Sequence, residues 1–122
     1  MQFDAATLAR IDAAHEVEIE STRPDGTTRT TIIWVVVDDG EVFVRSWKGD
    51  RGYWYQAALD RPEELALIVD GERLPVRAVP ANDEDGIARC SAGLSKKYRR
   101  SGSLAGMLLP RVLPTTLRLE PR

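Results

Sequence analysis

The sequence predicts an α+β fold in which six antiparallel strands curl into a small barrel with flanking helices. Two Asp-Gly pairs, Asp39-Gly40 and Asp70-Gly71, each separate two runs rich in aliphatic residues, which is the pattern of a tight hairpin. Segments with helical spacing lie between the hairpins and do not alternate regularly with single strands, which argues against a parallel βαβ sheet. Curling is favoured because it removes the exposed edges of an open sheet.

Length and composition are those of a single soluble domain covering residues 1–122. The net charge is −2, with 19 acidic and 17 basic residues, so any attraction to an anion must be local. There is one cysteine, Cys90, and one histidine, His15, so we predict no intrachain disulfide and no metal site. The amino terminus lacks the pattern of a secretion signal, and no apolar run approaches bilayer length. We therefore expect a cytoplasmic protein without a membrane partner.

The first two elements are predicted to be a short helix and a half-buried strand. Asp4 can cap a helix that ends near His15. The next segment alternates, with Val17 and Ile19 on one face and three glutamates on the other, as in a strand with one solvated face. A turn rich in proline, aspartate and glycine follows.

The middle of the chain predicts a hairpin followed by a helix. Every residue of Thr30–Val37 is β-branched or aromatic, which predicts one central strand covered on both faces. We expect it to pair, through the first Asp-Gly turn, with a strand that begins at Glu41 and whose residues alternate between two faces. The period then changes after Gly52 to that of a helix, which Pro62 ends.

The last part of the chain predicts a second hairpin, a long helix and a closing strand. The hairpin turns at the second Asp-Gly pair. Asn82 or Asp83 opens a helix that is acidic in its first turn and basic in its last, a charge order that suits the helix dipole. A short bridge with two prolines follows, and Leu117 and Leu119 mark the inward face of the final strand.

The stretch Val42–Tyr55 is the strongest candidate for a binding site. It contains cationic, hydroxyl and glycine residues suited to phosphate: Arg45, Ser46, Lys48, Gly49 and Arg51. The cations and the hydroxyl are donors, the glycine lets backbone N–H groups approach, and the next helix start adds its dipole. A solvated basic turn is equally compatible with this stretch taken alone.

A second segment favours the anion site. Arg29 and Thr31 lie at the start of the predicted central strand, so the hairpin would bring them, with Thr30, to the same end as the basic stretch. Trp47 and Trp54 supply ring faces that could stack on a planar ligand. Core packing is the stronger alternative for Trp54, and Trp47 is also suited to a subunit interface.

Two other features predict structural roles. The run Lys96–Arg100 is interpreted as a solvated helix end stabilised by the dipole, and the negative net charge argues against a nucleic-acid partner. His15 lies at a helix–strand joint and is interpreted as a boundary residue. The sequence contains no dinucleotide, phosphate-loop or nucleophile-elbow motif, so no catalytic residue is assigned.

The segment from Thr22 to Leu59 resembles the split β-barrel flavin-binding superfamily, which includes pyridoxamine-phosphate-oxidase-like proteins and deazaflavin-dependent nitroreductases. The residues that carry the resemblance lie in one turn, at the end of one strand and at the start of one helix: Thr22, Gly26, Arg29, Ser46, Gly49, Trp54 and Tyr55. The whole chain, including Pro75–Arg99 and Thr115–Pro121, is still more similar to a small bacterial family of unknown function placed near that superfamily.

The resemblance implies a six-stranded antiparallel split β-barrel with flanking helices, and a homodimer with a cofactor cleft at the subunit interface. The cofactor would be FMN or a deazaflavin, with a ring bordered by Trp47 or Trp54. Its phosphate would meet side chains on and after the middle strands: Arg29, Thr31, Arg45, Ser46, Lys48 and Arg51. The implied function is binding of a flavin or deazaflavin phosphate, with hydride transfer if the protein is an oxidoreductase. The alternative is a non-catalytic dimeric module with a filled cleft and no cofactor.

Overall fold

The computed structural model describes residues 2–122. The strands in this range are β1 (Val17–Thr22), β2 (Thr28–Ile33), β3 (Val36–Asp38), β4 (Glu41–Val44), β5 (Leu65–Val69), β6 (Glu72–Pro80) and β7 (Leu117–Pro121). The helices are α1 (Ala5–Ala13), α2 (Tyr53–Asp60), α3 (Glu84–Lys97) and α4 (Leu104–Met107), with 3-10 turns at Gly49–Arg51 and Leu113–Thr115. Among these described helices, none has both the length and the apolar character needed to cross a bilayer. The predicted α+β class is confirmed.

The strands form one antiparallel sheet in the order β2-β1-β5-β6-β7-β4-β3. β2 and β3 therefore lie at opposite edges of the sheet, although only Trp34 and Val35 separate them in sequence. A link this short spans at most about 11 Å, so the two edges must approach each other. The sheet is consequently curled into a split half-barrel, as predicted.

The prediction of a single central strand over Thr30–Val37 is wrong. Only Val36–Asp38 pairs with β4, where Val36 lies opposite Phe43. Thr30–Ile33 belong to β2, which pairs with β1 and forms a largely exposed edge of the sheet. This division gives seven strands where the sequence predicted six. The residue types did not reveal it, because both halves are good strand formers.

Both Asp-Gly hairpins are confirmed. The backbone φ angles are 48° and 77° at Asp39 and Gly40, and 51° and 81° at Asp70 and Gly71. Positive φ at both central residues defines a two-residue turn that matches the twist of the strands it connects. These turns connect β3 to β4 and β5 to β6, and so set the registers of both pairs.

The starts of two helices follow the predicted caps. The Asp4 carboxylate accepts from the Thr7 N–H at 2.7 Å, and the Asp83 carboxylate accepts from the Gly86 N–H at 3.1 Å. α2 differs, because Gly52 precedes it and offers no side-chain acceptor. The first N–H groups of α2 are therefore available to another acceptor.

The core has two parts, one inside the curled sheet and one between the sheet and α3. Val42 and Val44 belong to the inner cluster. Phe43, between them, belongs to the outer cluster with Cys90 and Leu94 of α3. Successive residues of β4 thus face the two clusters alternately, as the predicted strand periodicity requires.

Side chains at the end of α3 stabilise the crossover between β2 and β3. The Tyr98 hydroxyl accepts from the Val35 N–H at 3.1 Å and donates to the His15 carbonyl at 2.7 Å. The Lys97 ammonium donates to the Val35 carbonyl at 2.9 Å. Buried backbone groups that lie outside a strand pair need such partners. These contacts therefore allow the chain to leave one edge of the sheet and enter the other.

Replacing Tyr98 with phenylalanine tests the crossover. The substitution leaves the buried Val35 N–H without an acceptor, so Tyr98→Phe should lower the free energy of unfolding by about 1–3 kcal/mol in chemical denaturation. Tyr53 is 65% exposed, and Tyr53→Phe is the matched control, with an expected change below about 0.5 kcal/mol. Equally small effects of the two substitutions would show that the Tyr98 hydroxyl does not stabilise the crossover.

The free energy of unfolding should also fall at alkaline pH. Burial raises the pKa of Tyr98 to about 12 and the pKa of the Cys90 thiol to about 11. Both groups are easier to ionise in the unfolded chain, so this contribution to stability is complete below about pH 8.5 and is lost as the pH rises through 11 and 12. Cys90→Ala should reduce the decline between pH 9 and 11 by about 2–3 kcal/mol. A decline of the same size in wild type and variant would contradict this assignment.

Candidate functional site

A groove with a volume of about 360 Å³ opens beside the crossover. Its walls come from the end of β2, the loop between β4 and α2, the start of α2, and the segment around α4. Its apolar and aromatic lining residues are Ile32, Ile33, Trp34, Trp47, Tyr53, Trp54 and Met107. Its polar lining is Glu16, Arg29, Thr31, Arg45, Ser46, Lys48, Ser103 and the backbone of Gly52. The volume and the mixed lining are typical of a small-molecule site.

The groove brings together most of the residues that the sequence nominated for cofactor binding. Seven of them line it: Arg29, Thr31, Arg45, Ser46, Trp47, Lys48 and Trp54. Of the described residues, Gly49 and Arg51 were also nominated but lie outside the lining. Gly49 is buried in its 3-10 turn, while Arg51 is exposed on the same turn. Positive groups from two separate segments therefore meet at one groove.

The Arg45 guanidinium is 2% exposed and makes four hydrogen bonds within the protein. Nε donates to Thr116 Oγ1 at 2.9 Å, and Nη2 donates to the Ile87 carbonyl at 3.1 Å. Nη1 donates to Ser91 Oγ and to the Met107 carbonyl, both at 3.0 Å. Four of the five N–H donors are thus used, so a phosphate cannot be gripped by a free guanidinium fork. Arg45 instead connects the end of β4 to α3, α4 and the start of β7.

All of these partners of Arg45 are neutral. Among residues 2–122, no carboxylate forms an ion pair with it. Burial lowers the pKa of the Arg45 guanidinium, but arginine remains protonated in proteins. Its charge is therefore uncompensated beside the groove and favours an anionic occupant over a cationic one.

Ser46 shapes the loop that borders the groove. Its hydroxyl donates to the Gly49 carbonyl at 2.7 Å, and its N–H donates to Thr115 Oγ1 at 3.0 Å. A Cβ atom at Gly52 would lie 2.5 Å from Ser46 Oγ, so this position has no room for a side chain. The hydroxyl proton is already engaged, so Ser46 can offer a ligand only its oxygen lone pairs.

Lys48 and Arg29 are the two exposed cations of the groove. Neither forms an ion pair within residues 2–122, and the Arg29 guanidinium carbon lies 4.9 Å from the centre of the Tyr53 ring. The uncapped start of α2 lines the same groove. Glu16 contributes one negative charge, so positive groups predominate.

Three tryptophans border the groove in different ways. Trp54 is 6% exposed and belongs to the inner core, which confirms the core alternative for this residue. Trp47 is 48% exposed, and its ring packs so closely on Gly106 that a Cβ there would lie 2.5 Å from the indole. Trp34 stacks on Tyr98, with ring centres 4.0 Å apart and planes 3° from parallel. The groove therefore has aromatic walls that are held by packing.

The turn before β2 does not contribute to the groove. Of the described residues, none from 22 to 28 lines it, and neither does Thr30. Asp25 accepts from the Thr27 N–H at 3.0 Å, and Arg23 donates to the Thr28 carbonyl at 3.1 Å, so the turn bonds to itself. Thr30 and Thr31 point to opposite faces of β2, and only Thr31 lines the groove.

Sequence reasoning did not identify every lining residue. Glu16, Ile32, Ile33, Ser103 and Met107 were missed. Met107 reaches the groove because its carbonyl accepts from Arg45, a contact between distant parts of the chain. Ile32 is 64% exposed, which is unusual for isoleucine, but the position of β2 at an edge had to be known to expect it.

A comparison with protein families matches residues 7–119 to the family described as "Uncharacterized protein conserved in bacteria (DUF2255)". The chain belongs to this family. The assignment agrees with the resemblance of the whole chain to a small bacterial family. No curated protein matched this DUF2255 protein.

Several solved structures are similar to this DUF2255 protein. A putative pyridoxamine 5'-phosphate oxidase from Listeria innocua has a TM-score of 0.70 at 14% identity, over 96% of this chain and 91% of that chain. An F420-H2 dependent reductase has a TM-score of 0.64 at 15% identity, over 87% and 94%. HutZ, a heme storage protein from Vibrio cholerae, has a TM-score of 0.63 at 12% identity, over 100% and 92%. At such identities these likenesses establish the split-barrel fold alone.

Substitution of Arg45 tests its cross-linking role in the DUF2255 protein. Arg45→Met leaves two carbonyl and two hydroxyl acceptors without their donor, so the free energy of unfolding should fall by about 2–4 kcal/mol. Arg45→Lys should also destabilise, because one ammonium cannot reproduce the planar set of donors. Arg51→Met is the control, since Arg51 is exposed. A gain in stability with Arg45→Met would show that relief of a buried charge outweighs the four bonds.

Proposed function

We propose that this DUF2255 protein is a homodimeric split barrel that binds FMN, a deazaflavin or a related phosphorylated planar ligand in the groove. The observation that carries the proposal is the convergence of Arg29 and Lys48, from separate segments, with the open start of α2 at one aromatic-walled groove. Cations, free N–H groups and ring faces are the complement of a ligand with a phosphate at one end and a planar ring at the other.

The phosphate would be bound by Lys48, Arg29 and the first N–H groups of α2. Lysine and arginine donate charge-assisted hydrogen bonds, and a helix start without a side-chain cap provides further donors. The uncompensated charge of Arg45 adds attraction without direct contact. Thr31 adds a hydroxyl on the same groove. This donor set fits a phosphate group.

The ring would lie against the aromatic walls. Trp34 is held against Tyr98, and Trp47 is held against Gly106, so both indoles are positioned before a ligand arrives. Positioned walls reduce the conformational entropy that is lost on binding. The groove volume of about 360 Å³ leaves Trp34 beside the space and not within it, which counts against a filled cleft.

A bound flavin or deazaflavin would supply the hydride-transferring ring. The residues of the chain would bind the phosphate, orient the ring and limit its access to water. The groove lining contains no histidine and no cysteine, and direct hydride transfer requires no general acid or base. We therefore assign no catalytic residue.

The similar structures support a cofactor-binding role in a general way. Their descriptions name an oxidase, an F420-H2 dependent reductase and a heme storage protein. Two of the three are redox enzymes by name, which favours a redox cofactor. The third makes heme the competing ligand, and the titration described below includes it.

Exposed apolar side chains at the groove support the homodimer. Ile32, Trp47 and Tyr53 line the groove and are 64%, 48% and 65% exposed. Grouped exposed apolar side chains mark an interaction surface, and a second copy of the chain would cover them together with the ligand. These exposed side chains are equally compatible with the competing function, a dimeric module without a cofactor. The titration described next distinguishes that module from a cofactor-binding protein.

The decisive measurement is titration of the purified protein with FMN, the deazaflavin F420 and hemin, followed by fluorescence and visible absorbance. We expect FMN or F420 to bind and Lys48→Gln to weaken binding by about 10- to 100-fold, the loss expected for one charge-assisted contact. Arg51→Gln is the matched control, because Arg51 follows in the same loop but lies outside the lining. Its affinity should stay within about twofold of wild type.

Three outcomes would contradict the proposal. If hemin binds and neither FMN nor F420 does, the ligand of the groove is heme and not a flavin. No binding of any probe would favour the non-catalytic module. Equal losses in Lys48→Gln and Arg51→Gln would mean that general charge, and not the groove, attracts the ligand. Light scattering during size-exclusion chromatography tests the dimer independently, and a monomer at micromolar concentration would refute it.

A further inference from the structure

A second groove lies at the end of α3 and is independent of the first in its lining. Its volume is about 600 Å³, and four of its seven lining residues are lysine or arginine. The lining is His15, Lys96, Lys97, Tyr98, Arg99, Arg100 and Ser101. The two grooves share a wall, because Trp34 lines the first, Tyr98 lines the second, and the two rings are stacked. The proposed function above assigns no ligand contact to the second groove's residues.

The cations of this groove lack acidic partners. Elsewhere in the described chain, six arginines form eleven ion pairs with aspartate or glutamate. Within residues 2–122, Lys96, Lys97, Arg99 and Arg100 form no ion pair. Four positive charges thus gather in one groove of a protein whose net charge is −2. Such a local excess attracts anions although the whole protein does not.

Stabilisation of the helix end does not account for all four charges. Lys96 and Lys97 lie in the last turn of α3, where a cation interacts favourably with the helix dipole. Arg99 and Arg100 lie beyond the C-cap residue Tyr98, in the turn that the Ser101 N–H closes on the Tyr98 carbonyl at 2.9 Å. The dipole effect falls off outside the last turn, so it does not account for these two arginines.

The floor of the groove is fixed by contacts already described for the crossover. Lys97 donates to the Val35 carbonyl at 2.9 Å, and the Tyr98 hydroxyl donates to the His15 carbonyl at 2.7 Å. Lys96, Arg99 and Arg100 are exposed above this floor. Two nearby carboxylates interact electrostatically with the residues of this floor. Burial lowers the pKa of Lys97, and Asp12 opposes that shift. Burial raises the pKa of Tyr98, and Glu16 and Asp12 both strengthen that shift. They offset part of the charge but belong to the α1–β1 side and not to the groove lining.

We propose that this second groove binds a small polyanion, a molecule that carries two or more phosphate or carboxylate groups. Several cations spread over one groove match several anionic groups better than a single one, and arginine pairs with both types through two N–H donors. A nucleic acid fits less well, because single-strand binding needs accessible ring faces. Of the two rings in the lining, Tyr98 is 2% exposed and stacked on Trp34, so His15 is the one exposed ring and successive bases have no second ring to stack on.

The test is calorimetric titration with inorganic tripolyphosphate and with citrate. Monophosphate and acetate, which carry one phosphate and one carboxylate group, are the respective controls. We expect tripolyphosphate to bind at least tenfold more tightly than monophosphate, or citrate at least tenfold more tightly than acetate. The combined variant Lys96→Gln, Arg99→Gln and Arg100→Gln should weaken that binding at least tenfold. Whether tripolyphosphate or citrate binds more tightly identifies the anionic group.

The matched control removes the same number of charges elsewhere, with Arg23→Gln, Arg111→Gln and Arg122→Gln, three exposed arginines outside the groove. It should retain the wild-type affinity. Equal losses in the two triple variants, no binding by wild type, or tighter binding of a short oligonucleotide than of tripolyphosphate would each overturn the proposal. The triple variant at the second groove should weaken polyanion binding by the same factor in a Lys48→Gln background, so the test of the second groove does not depend on whether the first groove binds phosphate.

Discussion

The buried guanidinium of Arg45 is the interaction on which the site depends most directly. It connects the end of β4 to α3, to α4 and to the start of β7 through four hydrogen bonds. These contacts place the segment around Met107 against the loop after β4, and the first groove lies where these parts meet. The residue also brings a positive charge that no carboxylate within residues 2–122 pairs with. One side chain therefore contributes both to the shape of the groove and to its preference for anions.

The crossover at Val35 is the second organising feature. The fold requires the chain to pass from one edge of the sheet to the other within two residues, which leaves Val35 outside any strand pair. Tyr98 and Lys97 supply the missing hydrogen bonds. Because Trp34 stacks on Tyr98, the same arrangement separates the two grooves. Stability of the barrel and definition of both candidate sites thus depend on one short segment and on the end of α3.

The distribution of charge connects the structure to function. Within residues 2–122, six arginines form ion pairs with nearby carboxylates, as in the cluster where Arg89 contacts Asp38 and Glu41. Of the eleven Lys and Arg residues without an ion pair in this range, seven line the two grooves, with Arg29 and Lys48 at the first. A protein with a small negative net charge can therefore present two local sites for anions.

The sequence by itself determined the elements that depend on neighbouring residues. The two Asp-Gly turns, the Asp4 and Asp83 caps and the alternation of β4 follow from local chemistry, and the structure has them as predicted. The basic loop was also found from sequence, because its cations and glycines are adjacent. Only the tertiary structure decided where the strand predicted over Thr30–Val37 divides. That division depends on hydrogen bonds from the distant end of α3, while residue propensities on both sides of it are the same. Tertiary contacts likewise made Arg45 a buried cross-link and not a free phosphate donor, since its acceptors lie far along the chain.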